Sequence, residues 1–472
     1  MKEYKSMLHY LAGSFGIAWL VWAIALSGKL PASSAQWLTT VGMFAPLLST
    51  VMLKRSCPEA NVGFRLNLNF KRGWMFYAVA MWGPALITFA GVAVYFAVFR
   101  NYDANMGYME TSVIAMYGEE AYQAQGGLAI IKAMAKLQII QAVTVAPFFN
   151  AIAGFGEEAG WRGWLYPTLC SRLGAVKGMV AGGVIWGLWH LPLTVSGHNY
   201  GTDYLGWPVL GVVAMMIFCT SAGACLYWLS LRCKSILPSA LAHGAINAIA
   251  AVGNYWLPSD GANFLYGPNP AGLVAGLPLL VLGILALLLR AHQAGAGGMA
   301  LAGALVFGVS LVALYAASSL YHYALCGPKP LLRLRKLDHA MIYVLIGGSY
   351  TPFCLRYMNR QMLPLFLAAI WGAALAGILL KLLWLDAPRW LGTGLYLALG
   401  WAIAADLKDF GAMPGGCLAL VAAGGVCYSS GAVIYLVKRP NLGAGWGFHE
   451  LFHLFILAGS AFHFAAVYAF VL

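Results

Sequence analysis

Two glutamates stand side by side at positions 157 and 158 of a chain in which few residues are charged. They occur in GEEAGWRGWLYP, residues 156–167, where Arg162 follows Glu158 by four positions. Residues four apart meet on one face of a helix, so Glu158 and Arg162 are predicted to pair. Glu157 then points about a hundred degrees away around the helix. Its carboxylate is therefore predicted to be free for chemistry.

Two further segments carry polar side chains in apolar surroundings. VIWGLWHLPL places Trp186 and His190 four residues apart, and ALAHGAINAIA does the same for His243 and Asn247. A carboxylate and an imidazole can activate water, and N–H donors can stabilise the oxyanion that forms when water attacks a peptide carbonyl. Each segment alone also fits a residue that only stabilises the fold. Together the three segments predict hydrolysis of a peptide bond.

The order EExxxR, aromatic-xxx-His and HxxxN resembles the CPBP family of intramembrane proteases, which includes the CAAX endoprotease that processes Ras. The resemblance covers roughly residues 1–290. It implies three pairs of site residues, namely Glu157 and His190 to activate water, His243 and Asn247 to hold the oxyanion, and Glu158 and Arg162 to orient the site. Two histidines and a glutamate are also zinc ligands, so the sequence leaves open whether this site uses a metal.

Histidines recur in the last third of the chain at a spacing that suits a metal ion. His449 and His453 lie one helical turn apart in GFHELFHLFILAGSAFHF, and AASSLYHYAL supplies His322 from another span. Three imidazoles with a fourth position open to water form a ligand set of catalytic zinc. Asp338 begins a further span and is predicted to orient a ligand or to act as the base for the bound water. The remaining histidine of the last span, His463, is predicted to be an interfacial or packing residue.

The segments SSLYHY, LRKLDHAMIYVLIGGSYTPF and FHELFHLFILAGSAFHFAAVY resemble the hemolysin III branch of the PAQR family, whose relatives include the adiponectin receptors. The resemblance covers roughly residues 297–472 and implies a seven-helix fold with zinc. The implied site residues are His322, His449 and His453, with Ser318 and Asp338 beside them. Some relatives hydrolyse lipid amides, whereas bacterial members are named for haemolysis. Only six spans follow the junction, so the family's first helix is predicted to be missing or supplied by 271–290.

The composition identifies the class of protein in which these sites lie. Of 472 residues, 61% are hydrophobic and 9% are charged, which excludes an ordinary soluble domain. Apolar runs of about 20 residues can cross a hydrocarbon core of roughly 30 Å, and such segments must be helical. The predicted fold class is all-α, a polytopic integral membrane protein with about 14 transmembrane helices in two helical bundles. The predicted spans are residues 8–27, 36–53, 73–98, 132–153, 176–195, 206–231, 236–254, 271–290, 297–322, 338–357, 363–382, 389–408, 414–437 and 450–471.

A Gly/Ala-rich stretch, QAGAGGMALAGA, separates the two sets of motifs. It predicts a protease-type module over 1–290, a junction at 291–299 and a hemolysin III-type module over 297–472. The net charge of +13 gathers in loops, which favours the cytoplasmic side and anionic membrane lipids over nucleic acid as a partner. The nine cysteines include no CxxC pair, which argues against a disulfide framework or a thiolate zinc site.

The leading hypothesis is an integral membrane hydrolase of the bacterial cytoplasmic (inner) membrane. Its first module is predicted to cleave a membrane-associated peptide or protein substrate, and its second to bind zinc, with lipid-amide hydrolysis as a second activity. Three alternatives stay open: an ion or proton channel or transporter, because intramembrane carboxylates and histidines also mark ion paths, a cytolytic membrane protein, and a scaffold with inherited motifs. The substrate and the oligomeric state do not follow from the sequence.

Overall fold

The structure is a computed structural model that describes residues 2–57, 64–293, 295, 297–323, 327–385, 387–440 and 447–471. It divides into two compact units, Met1–Arg290 and Ala291–Leu472. Two residues of the predicted junction, 294 and 296, lie outside the described part of the chain.

Helices of very different length make up the first unit. Those described are α1 (Lys2–Ala25), α2 (Ala32–Gly42), α3 (Ala45–Ser56), α4 (Phe70–Phe99), α5 (Gly107–Tyr117), α6 (Glu119–Ala124), α7 (Leu128–Val143), α8 (Ala146–Gly160), α9 (Tyr166–Leu173), α10 (Ala175–Trp189), α11 (Leu191–Val195), α12 (Val209–Cys233), α13 (Leu237–Ile249) and α14 (Leu277–Gln293). A π-helical turn, Trp161–Leu165, joins α8 to α9, and a 3₁₀ turn, Val252–Trp256, follows α13.

The second unit consists mainly of long helices. Those described are α15 (Gly298–Tyr323), α16 (Pro328–Tyr357), α17 (Leu363–Leu383), α18 (Arg389–Gly400), α19 (Gly415–Val437) and α20 (Phe448–Phe470), with a 3₁₀ segment, Ala402–Phe410, after α18. Adjacent helices pack as antiparallel neighbours, most extensively α15 with α16 and α19 with α20. These two pairs carry all the predicted site residues of the unit.

Nine helices within the described residues are long and apolar enough to cross a membrane, or ten if the bent pair Leu128–Val143 and Ala146–Leu173 forms one span. The described residues contain helices and turns but no β-strand. The predicted fold class, an all-α polytopic membrane protein, is therefore confirmed. The predicted number of about 14 spans is not confirmed, because several predicted spans are short or broken helices.

Prolines break three of the predicted spans. Pro46 and Pro147 lie in the first turns of α3 and α8, so the predicted spans 36–53 and 132–153 each consist of two helices. The bend between α7 and α8 is 56°. Pro192 likewise begins α11 directly after His190, which ends α10. A proline suits the first turn of a helix because its missing N–H has no partner there.

Small residues hold the helices of the first site close together. A Cβ atom added to Gly244 of α13 would lie 2.4 Å from the backbone nitrogen of Ala151 on α8. One added to Gly187 of α10 would lie 2.5 Å from the Cα atom of Met216 on α12. Only glycine permits such approach of two backbones, which is the usual packing mode of membrane helices. Glu157 and Glu158 of α8 and His243 of α13 are buried in this packing.

Candidate functional site

Glu158 is the centre of a buried ionic cluster. Arg162 donates from Nη1 to Glu158 Oε1 over 2.9 Å, and the Nδ1 atom of His243 lies 3.0 Å from the same oxygen. All three side chains are buried, with relative exposures of 0% for Glu158, 1% for Arg162 and 5% for His243. The pairing of Glu158 with Arg162 that the spacing predicts is present. Because the carboxylate accepts, His243 donates from Nδ1, and its Nε2 atom faces the other way.

The expectation that Glu157 has a free carboxylate is wrong. Its Oε2 atom accepts hydrogen bonds from the indole nitrogens of Trp186, over 2.7 Å, and of Trp161, over 3.3 Å. Trp161 is one helical turn after Glu157, and Trp186 reaches the carboxylate from α10. The other oxygen, Oε1, lies 3.9 Å from His243 Nε2. This distance is too long for a direct hydrogen bond, so the two atoms can hold a third group between them.

His190 lies at the end of α10 and contacts Trp186. Its Nδ1 atom is 2.9 Å from the carbonyl oxygen of Trp186, so Nδ1 donates and Nε2 carries the free lone pair. Trp186 thus contacts Glu157 through its indole and His190 through its carbonyl. Among the described residues, His243 is the histidine that lies within 4 Å of the Glu157 carboxylate. The predicted grouping of Glu157 with His190 is therefore indirect.

Asn247 lies one turn after His243 on α13, and its side chain is exposed on the surface of the unit. The spacing places both residues on one helical face, as predicted from the sequence. Its role as an oxyanion donor stays a prediction.

Three histidines of the second unit converge, as the predicted zinc site requires. His322 ends α15, whereas His449 and His453 lie in the first turns of α20. One ligand nitrogen from each lies within 4.8 Å of the other two, and the Nε2 atoms of His449 and His453 are 3.3 Å apart. Two nitrogens bound to one tetrahedral zinc at its usual bond length would be about 3.3 Å apart. The donor set and its spacing therefore fit zinc.

Ser318 and Asp338 lie beside the three histidines. Both residues line the cavity that the three histidines also line. The Asp338 side chain retains 14% of its exposure and lies 3.7 Å from Nδ1 of His339. A carboxylate in this position can orient a ligand histidine or accept a proton from a bound water.

All five of these residues line one cavity of about 680 Å³ within the second unit. Its wall is largely apolar and includes Ile346, Phe353 and Ile456. The volume falls in the range of ligand pockets in proteins. The cavity also reaches Tyr315, Tyr428 and His463, none of which the sequence patterns marked as site residues.

Known proteins match the chain in two separate regions. The family model described as Haemolysin-III related matches residues 273–464. Hemolysin-3 of Bacillus cereus is 33% identical over 202 residues, which cover 87% of that protein and 43% of this chain. A Hemolysin-3 homolog of Bacillus subtilis is 34% identical over 163 residues, which cover 74% of that protein and 34% of this chain.

The chain belongs to the haemolysin-III related family. The family match begins at residue 273 and so includes α14, although residues up to Arg290 belong to the first compact unit. The match also contains all five residues of the histidine site. We refer to residues 291–472 as the haemolysin-III unit.

A second family model, described as Type II CAAX prenyl endopeptidase Rce1-like, matches residues 139–249. CAAX prenyl protease 2 of Methanococcus maripaludis is 29% identical over 101 residues, which span 37% of that protein and 21% of this chain. The matched region contains both glutamates, Arg162 and the HxxxN pair. The chain therefore combines a haemolysin-III unit with a protease-like module. The first compact unit, Met1–Arg290, contains the matched region, and we refer to it as the protease-like unit.

Substitution of Glu158 by Gln tests whether the buried ionic cluster stabilises the protease-like unit. The neutral amide leaves Arg162 buried without an opposite charge, and we expect a loss of about 3–5 kcal/mol of stability. Thermal unfolding of the purified protein in detergent, followed by intrinsic fluorescence, measures the change.

Glu119→Gln is the control for this experiment, because Glu119 is exposed and also contacts the residue four positions on, Gln123. Its substitution is expected to change stability by less than about 0.5 kcal/mol. Equal unfolding temperatures of the two variants would show that the cluster contributes nothing.

Proposed function

We propose that the protease-like unit hydrolyses a peptide bond of a membrane-associated substrate, and that Glu157 is the general base. The observation that carries this proposal is that the two oxygens of the Glu157 carboxylate have different surroundings. Two indole N–H groups hold Oε2, and Oε1 is left 3.9 Å from His243 Nε2. A base must be fixed in orientation and must keep one lone pair for the proton that it accepts.

The hydrogen-bond partners of the two histidines give them opposite roles in this proposal. His190 donates from Nδ1 to a carbonyl, so its Nε2 can accept a hydrogen from the attacking water. His243 donates from Nδ1 to Glu158, and in its protonated form Nε2 would also donate. Water positioned by Glu157 and His190 loses a proton to Glu157 and attacks the carbonyl. His243 and Asn247 donate to the oxyanion that results. When this intermediate collapses, the C–N bond breaks and Glu157 returns the proton to the departing amine.

The substrate class follows from the position of this site. The carboxylates lie on α8 within an apolar bundle, so the peptide must enter from the membrane or its surface. We propose a lipid-anchored or otherwise membrane-associated peptide, and the cytoplasmic membrane of a bacterium as the location. The relative whose name mentions a CAAX prenyl protease supports a prenylated C-terminal peptide as the first substrate to test.

For the haemolysin-III unit we propose a zinc ion held by His322, His449 and His453, and hydrolysis of a lipid amide. When bound, zinc would lower the pKa of a water in its fourth position and polarise a carbonyl. Asp338, which lines the same cavity, would hold the proton of that water. The apolar cavity wall would bind the acyl chain of the lipid.

Replacement of Glu157 by Gln tests the general base. The substituted side chain keeps its shape but cannot accept the proton, so cleavage is expected to fall at least about a hundredfold. Mass spectrometry of a farnesylated peptide incubated with the protein in vesicles measures the product. Glu110→Gln is the control and should retain activity. The Glu110 carboxylate lies outside this site and accepts a hydrogen bond from Tyr122. Cleavage that persists in the Glu157 variant would exclude its role, and ion flux without any product would favour a channel.

Trp186→Phe tests whether the indole N–H positions Glu157. Phenylalanine keeps the apolar ring but removes the donor to a charged group, so kcat is expected to fall roughly tenfold with little change in KM. Trp189→Phe is a matched control, because this buried indole donates to the carbonyl of Ser14 over 2.9 Å and not to Glu157. An equal loss of kcat in both variants would indicate a general packing effect.

Metal analysis of the purified protein tests the zinc site. We expect one zinc ion per chain in the wild type, and its loss in His322→Ala and His449→Ala, because two imidazoles alone bind zinc weakly. The Glu157→Gln variant should retain the metal. Loss of zinc from the Glu157 variant together with its retention in both histidine variants would place the metal in the protease-like unit.

A further inference from the structure

The cavity in the haemolysin-III unit has a second polar region, which is separate from the three histidines. Tyr315 donates to the hydroxyl of Ser460 over 2.6 Å, and the hydroxyls of Tyr428 and Ser460 are 2.8 Å apart. His463 lies one turn after Ser460 and packs edge-on against Tyr428, with ring centroids 5.3 Å apart. We call these four residues the hydroxyl cluster. Both tyrosines and His463 line the cavity wall.

The hydroxyl cluster has one unused acceptor. The Nε2 atom of His463 lies 3.1 Å from the carbonyl oxygen of Val421, so this nitrogen carries the hydrogen. Nδ1 therefore holds a bare lone pair, and it is buried without a hydrogen-bond partner. The residue as a whole is 9% exposed. A buried polar atom without a partner is unfavourable, and such atoms commonly mark a place for water or a ligand.

The hydroxyl cluster also has one unused donor. Three hydroxyl groups bring three hydrogens, and the two hydrogen bonds among Tyr315, Tyr428 and Ser460 use two of them. The third hydrogen remains available to a ligand. A group that both donates and accepts, such as an alcohol, would satisfy the cluster and the imidazole together.

Two helices independently give the distance from the hydroxyl cluster to the histidine site. Tyr315 precedes His322 by seven residues on α15, and Ser460 follows His453 by seven residues on α20. Seven residues of a helix rise about 10 Å. The wall between the two polar regions is mainly apolar, with Ile346 and Ile456 among its residues.

We propose that the hydroxyl cluster binds a hydroxyl group on the acyl chain of the ligand, about 10 Å from the polar end held at the three histidines. The haemolysin-III unit would then select hydroxylated acyl chains over acyl chains without a hydroxyl group. This inference rests on the lipid-binding part of the proposed function, and it does not require hydrolysis.

Competition of 10-hydroxystearate and stearate against a fluorescent fatty acid, on the full-length protein in detergent, tests the proposal. We expect the hydroxylated acid to bind about fivefold to tenfold more tightly, as one or two additional hydrogen bonds would produce. Tyr428→Phe and His463→Phe should each reduce this ratio toward one, and stearate affinity should stay unchanged in Tyr428→Phe. Tyr350→Phe is the matched control, because the Tyr350 hydroxyl lines the same cavity but donates to the carbonyls of Leu399 and Gly400.

The outcomes separate this inference from the proposed function. Binding of both acids with equal affinity would overturn the hydroxyl preference and leave lipid binding standing. Binding of neither acid would overturn both. A preference that survives in Tyr428→Phe and His463→Phe would exclude the hydroxyl cluster as its source.

Discussion

A carboxylate that is buried in an apolar helix bundle must find donors or an opposite charge, and this requirement shapes the protease-like unit. Glu158 meets it with Arg162 and His243, and Glu157 meets it with two indoles. These contacts join α8, α10 and α13 around a small polar centre. Because Trp186 and His243 come from two other helices, the electrostatic requirement of two adjacent side chains also fixes the geometry in which chemistry can occur.

The haemolysin-III unit satisfies a different requirement. Its polar centre consists of imidazoles instead of a compensated ion cluster, and two of their nitrogens approach to 3.3 Å. Two lone pairs at that distance repel, so a proton or a metal ion must lie between them. The centre opens into a large apolar cavity, whereas the polar centre of the protease-like unit is enclosed by tryptophan rings. The two polar centres therefore differ in their surroundings, since aromatic rings enclose one and the other opens into a cavity.

Contacts within one helix were predictable from the sequence, and contacts between helices were not. The i,i+4 rule places Arg162 beside Glu158, and hydropathy gives the all-α membrane class. The same rule places Trp161 beside Glu157, but an indole is usually counted as apolar, so spacing alone does not identify its N–H as a donor. That His243 contacts Glu158 depends on how α8 packs against α13, which spacing along the chain cannot show. The predicted number of about 14 spans is not confirmed, since some apolar runs form shorter helices, such as Ala175–Trp189 and Leu277–Gln293.

The boundary between the compact units and the start of the haemolysin-III match fall at different places on either side of most of α14. Residues up to Arg290 pack as part of the first compact unit, yet the haemolysin-III match begins at residue 273. Gly283 of this helix approaches the backbone of Ser221 on α12, so α14 is integrated into the protease-like bundle. A genetic exchange that cut at the compact boundary would deprive a stand-alone haemolysin-III protein of its first matched helix. One that cut before residue 273 would expose the surface of α12. The shared helix therefore makes the two regions inherit, and lose, this segment together.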